Sequence, residues 1–106
     1  MSQKMIHSNG FGYIAKCRCC HDVQCCMGNV IFTFDRHDFR LFREGFFKSG
    51  GVESAQIHRE GSIKRYVIET GFSDLKLSLS KKEYAQASDL LNMAELEFQL
   101  EDQLNG

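Results

Sequence analysis

Five thiols, Cys17, Cys19, Cys20, Cys25 and Cys26, are crowded into the stretch AKCRCCHDVQCCMGN, and these are all the cysteines of the chain. Thiols gathered in this way serve as metal ligands, as redox groups or as small core residues. Cys17-Arg-Cys-Cys20 is a C-x-x-C at the tip of an expected β-hairpin. Two thiolates three residues apart on a tight turn can face one tetrahedral ion, about 2.3 Å from each sulfur. A structural zinc takes four ligands, and His21, next to the motif, and His7, nearer the N-terminus, are the candidates to join Cys17 and Cys20. No second C-x-x-C and no H-x3–5-H follows, so the motif is half of a zinc site.

A redox pair needs a thiolate of lowered pKa, which the start of a helix commonly supplies. Here the motif precedes a β-segment, leaving Lys16, Arg18 and His21 as the groups that would favour the thiolate. As core residues the cysteines divide by parity. Cys25 alternates with Val23 and Met27 and reads as packing, Cys26 points to the other face, and Cys19 and Cys26 both stay ambiguous.

The elements that must position these thiols follow from periodicity. FGYIAK, Phe11 to Lys16, is aromatic and β-branched and reads as a strand into the cysteine turn. DVQCCM reads as the strand leaving it. At Gly28-Asn29 the apolar parity changes from odd (Val23, Cys25, Met27) to even (Val30, Phe32, Phe34). A bulge in one long strand or a two-residue hairpin with Gly leading would do this, and the expectation is the bulge.

Asp35 caps a helix that presents Phe39, Phe42 and Phe46 at i, i+3 and i+7 and stops at Gly50-Gly51. SAQIHREGSIKRYVIET reads as a hairpin turning at Glu60-Gly61, and Leu75, Leu77 and Leu79 alternate through another strand. Ser80-Lys-Lys-Glu83 is a capping box opening a helix to about Leu104. That helix carries one stripe of Tyr84, Ala87, Leu91, Ala94 and Phe98 and a second of Met93, Leu96, Leu100 and Leu104, roughly opposite. Covering a sheet needs one stripe; the second implies another contact, read as a homodimer through the C-terminal helix or a folded-back neighbour, with burial of both stripes in the chain's own core as the alternative. The expected fold is α+β, a single domain over 1–106, with an antiparallel sheet of about five strands and two helices in the order β-β-α-β-β-β-α.

Composition narrows the function. The chain has 106 residues, is 42% hydrophobic and 25% charged, and has a net charge of −1. That charge argues against a nucleic-acid partner. A weak nucleic-acid surface of Arg40, Arg43, Lys48, Lys64 and Arg65 with Phe11 and Tyr13 stays as an alternative. All 13 Lys and Arg precede Glu83, whereas Glu83, Asp89, Glu95, Glu97, Glu101 and Asp102 close the chain without a base. This is either a solvated acidic helix or one that docks on a basic surface, its own or a partner's. No apolar run approaches membrane-spanning length, so no membrane partner is expected. MSQKMIHSNGFG lacks an apolar signal region, so the expected compartment is the cytoplasm, where clustered thiols favour metal or redox chemistry over disulfides.

GYIAKCRCCHDVQCCMGN followed by IFTFDRHDF resembles a family of small uncharacterised bacterial proteins. Its pattern is Gly-Tyr, three residues, C-x-x-C, a strand with Gln, an Asn, and an aromatic strand running into a Phe-rich helix. The matching positions are Gly12, Tyr13, Cys17, Cys20, Gln24, Asn29, Phe32, Phe34 and Phe39. LKLSLSKKEYAQASDLL resembles the family's Leu-alternating strand and closing helix. The resemblance implies a Cys-x-His near the N-terminus that completes four zinc ligands, but here that segment reads Lys4-Met5-Ile6-His7, without the cysteine. The resemblance implies no known activity.

No paired carboxylates, phosphate loop or Ser-His-Asp order occurs, and His37 and His58 stand isolated. The resulting expectation is a non-enzymatic interaction or regulatory domain with zinc as candidate cofactor at the hairpin tip. The alternative is a thiol-redox protein or sensor using Cys17 and Cys20.

Overall fold

Alternating side chains in the first third build a meander of strands, as the computed structural model shows for the described residues, 3–18 and 20–105. Its elements are β1 (Gln3–Ser8), β2 (Gly12–Cys17), β3 (Val23–Met27), β4 (Val30–Phe34), α1 (Arg36–Lys48), α2 (Gly51–Ser54), β5 (Gln56–Glu60), β6 (Ile63–Glu69), β7 (Lys76–Leu79) and α3 (Lys81–Asn105). The α+β class and the antiparallel pairing agree with the sequence reading. The strands form two sheets rather than one, ordered β1-β2-β3-β4 and β5-β6-β7. β1 and the four-residue α2 are additional to the expected elements, and one expected strand is divided into β3 and β4. β1 escapes the sequence pattern because its exposed Gln3, Lys4 and Met5 and a register break between Met5 and His7 blur the alternation.

The chain divides into two compact units, Met1–Arg36 with Gln86–Gly106, and His37–Ala85. In the first, one face of the four-stranded sheet carries the buried Ile14, Val23, Cys25 and Met27. From α3 the same unit buries Ala87, Leu90, Leu91, Ala94 and Phe98. Removing such side chains from water stabilises a domain by roughly 1.5–3 kcal/mol each for the larger ones.

Gly28-Asn29 makes a tight hairpin, which corrects the expected bulge. Met27 pairs with Val30 across a two-residue turn, and Gly28 sits at φ 64. A leading glycine of positive φ turns the chain with the twist of its flanking strands, and the parity change is the consequence.

In the second unit, α1 buries Phe39, Phe42 and Phe46 completely. The Phe46 ring stacks on Tyr84 at 5.0 Å, and Phe47 meets Phe46 edge-on at 5.1 Å. α1 can lie close to the segment before β7 because both contact points are glycines. A Cβ on Gly45 would collide with the Gly71 backbone, and a Cβ on Gly71 with the Leu41 carbonyl. In the second sheet Tyr66, Ile68, Leu77 and Leu79 form the buried face. The capping box forms as read: the Ser80 N–H donates to Glu83 Oε1 at 2.9 Å, and the Glu83 N–H donates to Ser80 Oγ at 3.2 Å.

Candidate functional site: the cysteine hairpin and the closing helix

Lys16 pairs with Val23 as the last register position of β2 and β3, so the hairpin tip lies between them. The tip is closed by the Cys17 N–H, which donates to the Asp22 carbonyl at 2.8 Å. Cys17 is half-buried, Cys20 exposed, and His21 exposed at φ 63. A left-handed backbone is uncommon away from glycine and marks a tightly constrained turn. Cys19 lies outside the described residues.

The first pairing of β1 and β2 sets Gln3 opposite Cys17 and His7 opposite Ile14. His7 therefore stands about 10 Å farther along the sheet than the candidate ligands at the tip. Its Nε2 lies 2.8 Å from Asp89 Oδ2 on α3. Asn9 completes this cluster: its Nδ2 donates to the same Asp89 oxygen at 3.0 Å and to the Gln86 carbonyl at 2.9 Å. Its Oδ1 accepts from the Phe11 and Gly12 amides. Asn9 thus shapes the β1–β2 turn and ties it to α3. The hydrogen bonds from His7 and then Asn9 hold the Asp89 carboxyl below its ordinary pKa. Among the described residues no three His, Cys, Asp or Glu side chains form a group able to hold a metal.

The remaining cysteines differ sharply in character. Cys25 is fully buried in the core face, and burial pushes its thiol up to about 12. At that value almost no thiolate exists at neutral pH, so Cys25 is packing. Cys26 is half-buried on the opposite face, its thiol 3.7 Å from the Gly28 carbonyl. That face, shared with Cys17, also carries a polar ladder not foreseen in the sequence. Tyr13 Oη donates to Gln24 Oε1 at 2.8 Å, and Gln3 Nε2 approaches the same oxygen at 3.4 Å. Only the strand register brings these three residues together.

The acidic helix docks on its own unit's bases. Glu101 Oε2 lies 2.6 Å from Lys16 Nζ and Glu101 Oε1 lies 2.9 Å from Lys4 Nζ. Asp102 receives Arg36 at 3.3 Å, and the Arg36 guanidinium also lies 4.3 Å over the Phe98 ring. Hydrogen bonds from Lys16 and then Lys4 hold the Glu101 carboxyl below its usual range. The two stripes of α3 have opposite fates. Ala87, Leu91, Ala94 and Phe98 are buried, whereas Met93, Leu96, Leu100 and Leu104 are 37%, 49%, 45% and 86% exposed.

In the second unit His58 Nε2 lies 3.0 Å from Ser78 Oγ on the exposed sheet face. Arg65 is held by Glu83 at 2.6 Å and by Glu60 at 3.4 Å. Arg43 lies over Phe47 and Lys64 over Tyr66. Among the described residues no helix is long and apolar enough to cross a membrane.

A family model described as a family of unknown function, DUF6686, matches residues 1–103. The match runs through nearly the whole chain, which therefore belongs to that family. No curated protein and no solved structure matches the chain.

Proposed function

We propose that this member of the family is a non-enzymatic protein-interaction module that self-associates through α3. The carrying observation is the exposed stripe of Met93, Leu96, Leu100 and Leu104. Spacings of three and four place these residues on one helix face, away from the buried stripe. Charge favours a second copy as the occupant. Glu101 and Asp102, which would repel their counterparts across a helix pair, are already matched by Lys16, Lys4 and Arg36. Two helices relieved of part of their charge in this way can approach along Leu96 and Leu100, each removing apolar area from water.

Light scattering on the full chain tests this. The expected mass exceeds one chain and falls by half in the Leu96→Glu Leu100→Glu variant. Both positions are exposed, so the fold tolerates the change. A mass that the substitutions leave unchanged overturns the proposal.

A second reading is carried by the hairpin tip. Cys17 and Cys20 occupy the end of β2 and an exposed turn, with His21 in the left-handed conformation beside them. They supply two of the four ligands a structural zinc takes. Zinc retained by protein purified under reducing conditions, and lost in the Cys17→Ser Cys20→Ser variant, supports this reading. Metal-free protein with one of these thiols reacting below about pH 8 supports a thiol-redox role instead.

A further inference from the structure

A structural zinc holds four protein ligands in a tetrahedron. Cys17, at the end of β2, and Cys20, exposed in the turn, supply two of them.

The other donors of the chain are placed elsewhere. His7 stands about 10 Å farther along the sheet, where its Nε2 lies 2.8 Å from Asp89 Oδ2. Cys25 is fully buried on the core face with its thiol raised to about 12, which disfavours the thiolate that a metal binds. Cys26 pairs with Tyr13, four residues back along β2 from Cys17, a separation of about 13 Å. His21 follows Cys20 directly, yet among the described residues no group of three His, Cys, Asp or Glu forms that could hold an ion. The described residues of one chain thus offer half a site, and every other copy carries the same half.

We propose that zinc bridges two copies of this chain, each giving the Sγ atoms of Cys17 and Cys20 to one ion on a two-fold axis. This bridge rests on the zinc reading of the hairpin tip and adds the source of the third and fourth ligands. Identical half-sites meeting about a two-fold axis complete the tetrahedron and close on themselves. The tip lies beyond the last register pair, Lys16 with Val23, and Arg18, Cys20 and His21 are exposed there, so a second tip can reach the sulfurs. Four thiolates around Zn(II) leave a charge of about −2. The exposed Arg18 of each copy brings a positive charge to the same turn and offsets it. Four sulfurs are also the donor set that tetrahedral zinc takes in preference to harder ions. Each thiol loses its proton as its bond to zinc forms, so filling the bridge releases protons to the solvent.

The test uses the full chain carrying Leu96→Glu Leu100→Glu, which removes the α3 contact, so that a gain in mass comes from metal. Reduced, metal-stripped protein is titrated with Co(II), whose bonds to thiolate absorb in the near ultraviolet. The absorption is expected to saturate at one Co(II) for each pair of chains, with the mass by light scattering doubling at the same point. Zn(II) is expected to bleach the absorption and keep the mass, and Cys20→Ser to abolish both uptake and gain. A mass that metal leaves unchanged overturns the bridge, as does a gain that survives Cys20→Ser. Uptake of one ion per chain without a gain in mass keeps the zinc reading while the bridge falls; no uptake removes both. The metal-free mass of wild type against the glutamate variant decides the α3 reading separately.

Discussion

Lys16 Nζ sits 2.6 Å from Glu101 Oε2, joining the second strand to the last turns of the closing helix across 85 residues of chain. Both side chains are mostly shielded, 17% and 14% exposed, and Lys4 reaches the other carboxylate oxygen. An ion pair in such a place is worth more than one at an open surface, because water competes less for either partner.

Glu101→Gln is expected to lower stability by about 1–2 kcal/mol, measured by urea unfolding at neutral pH. The pH dependence carries a definite sign. Glu101 titrates below its ordinary value in the folded chain, so its contribution is complete above the unfolded-state pKa and is lost as pH falls through the folded one. Wild-type protein should therefore lose stability on acidification more steeply than the Gln variant.

Ser80→Ala removes the acceptor for the Glu83 N–H at the start of α3 and should cost about 1 kcal/mol. Ser80→Asp should recover most of that loss, since a carboxylate caps the same amide and suits the helix dipole. Thermal unfolding of the three proteins checks the order.

Alkylation followed by mass spectrometry should label Cys20 in the folded protein and leave Cys25 unlabelled until denaturant is added. Cys20 is exposed, whereas Cys25 is fully buried with its thiol raised to about 12. Rapid labelling of Cys25 under native conditions would contradict its place in the core.

Gly45→Ala should destabilise the chain by about 3 kcal/mol or more, because the added methyl meets the backbone at Gly71, which cannot rotate aside. Gly61→Ala is the useful contrast. Nothing lies near its missing Cβ, so its cost is confined to the left-handed φ of 62, about 1 kcal/mol. Circular dichroism melting curves separate the two.

Local signals carried much of the architecture. The capping box at Ser80 and Glu83, the phenylalanine spacing of α1, the leucine alternation of β7 and the two stripes of α3 each depend on residues within one or two turns of one another. They were readable from the chain and are present in the fold. β1 was not readable, because a rim strand with exposed polar side chains and a register break has no period to detect. At Gly28-Asn29 the parity change was visible, but bulge and hairpin produce the same change, and only the Met27–Val30 pairing separates them.

What the amino-acid order alone determined about this protein is its local grammar: class, helix ends, turn positions, the buried parity of Cys25 and the gathering of thiols at one bend. Tertiary structure decided the long-range matters. It split the strands into two sheets, sent His7 to Asp89 rather than toward the thiols, and matched the acidic helix to Lys4, Lys16 and Arg36. The reason is physical. Periodicity and capping act over a few residues, whereas the partner of a charge or a hydrogen-bonding group is chosen by whichever distant segment the packing brings within about 3 Å.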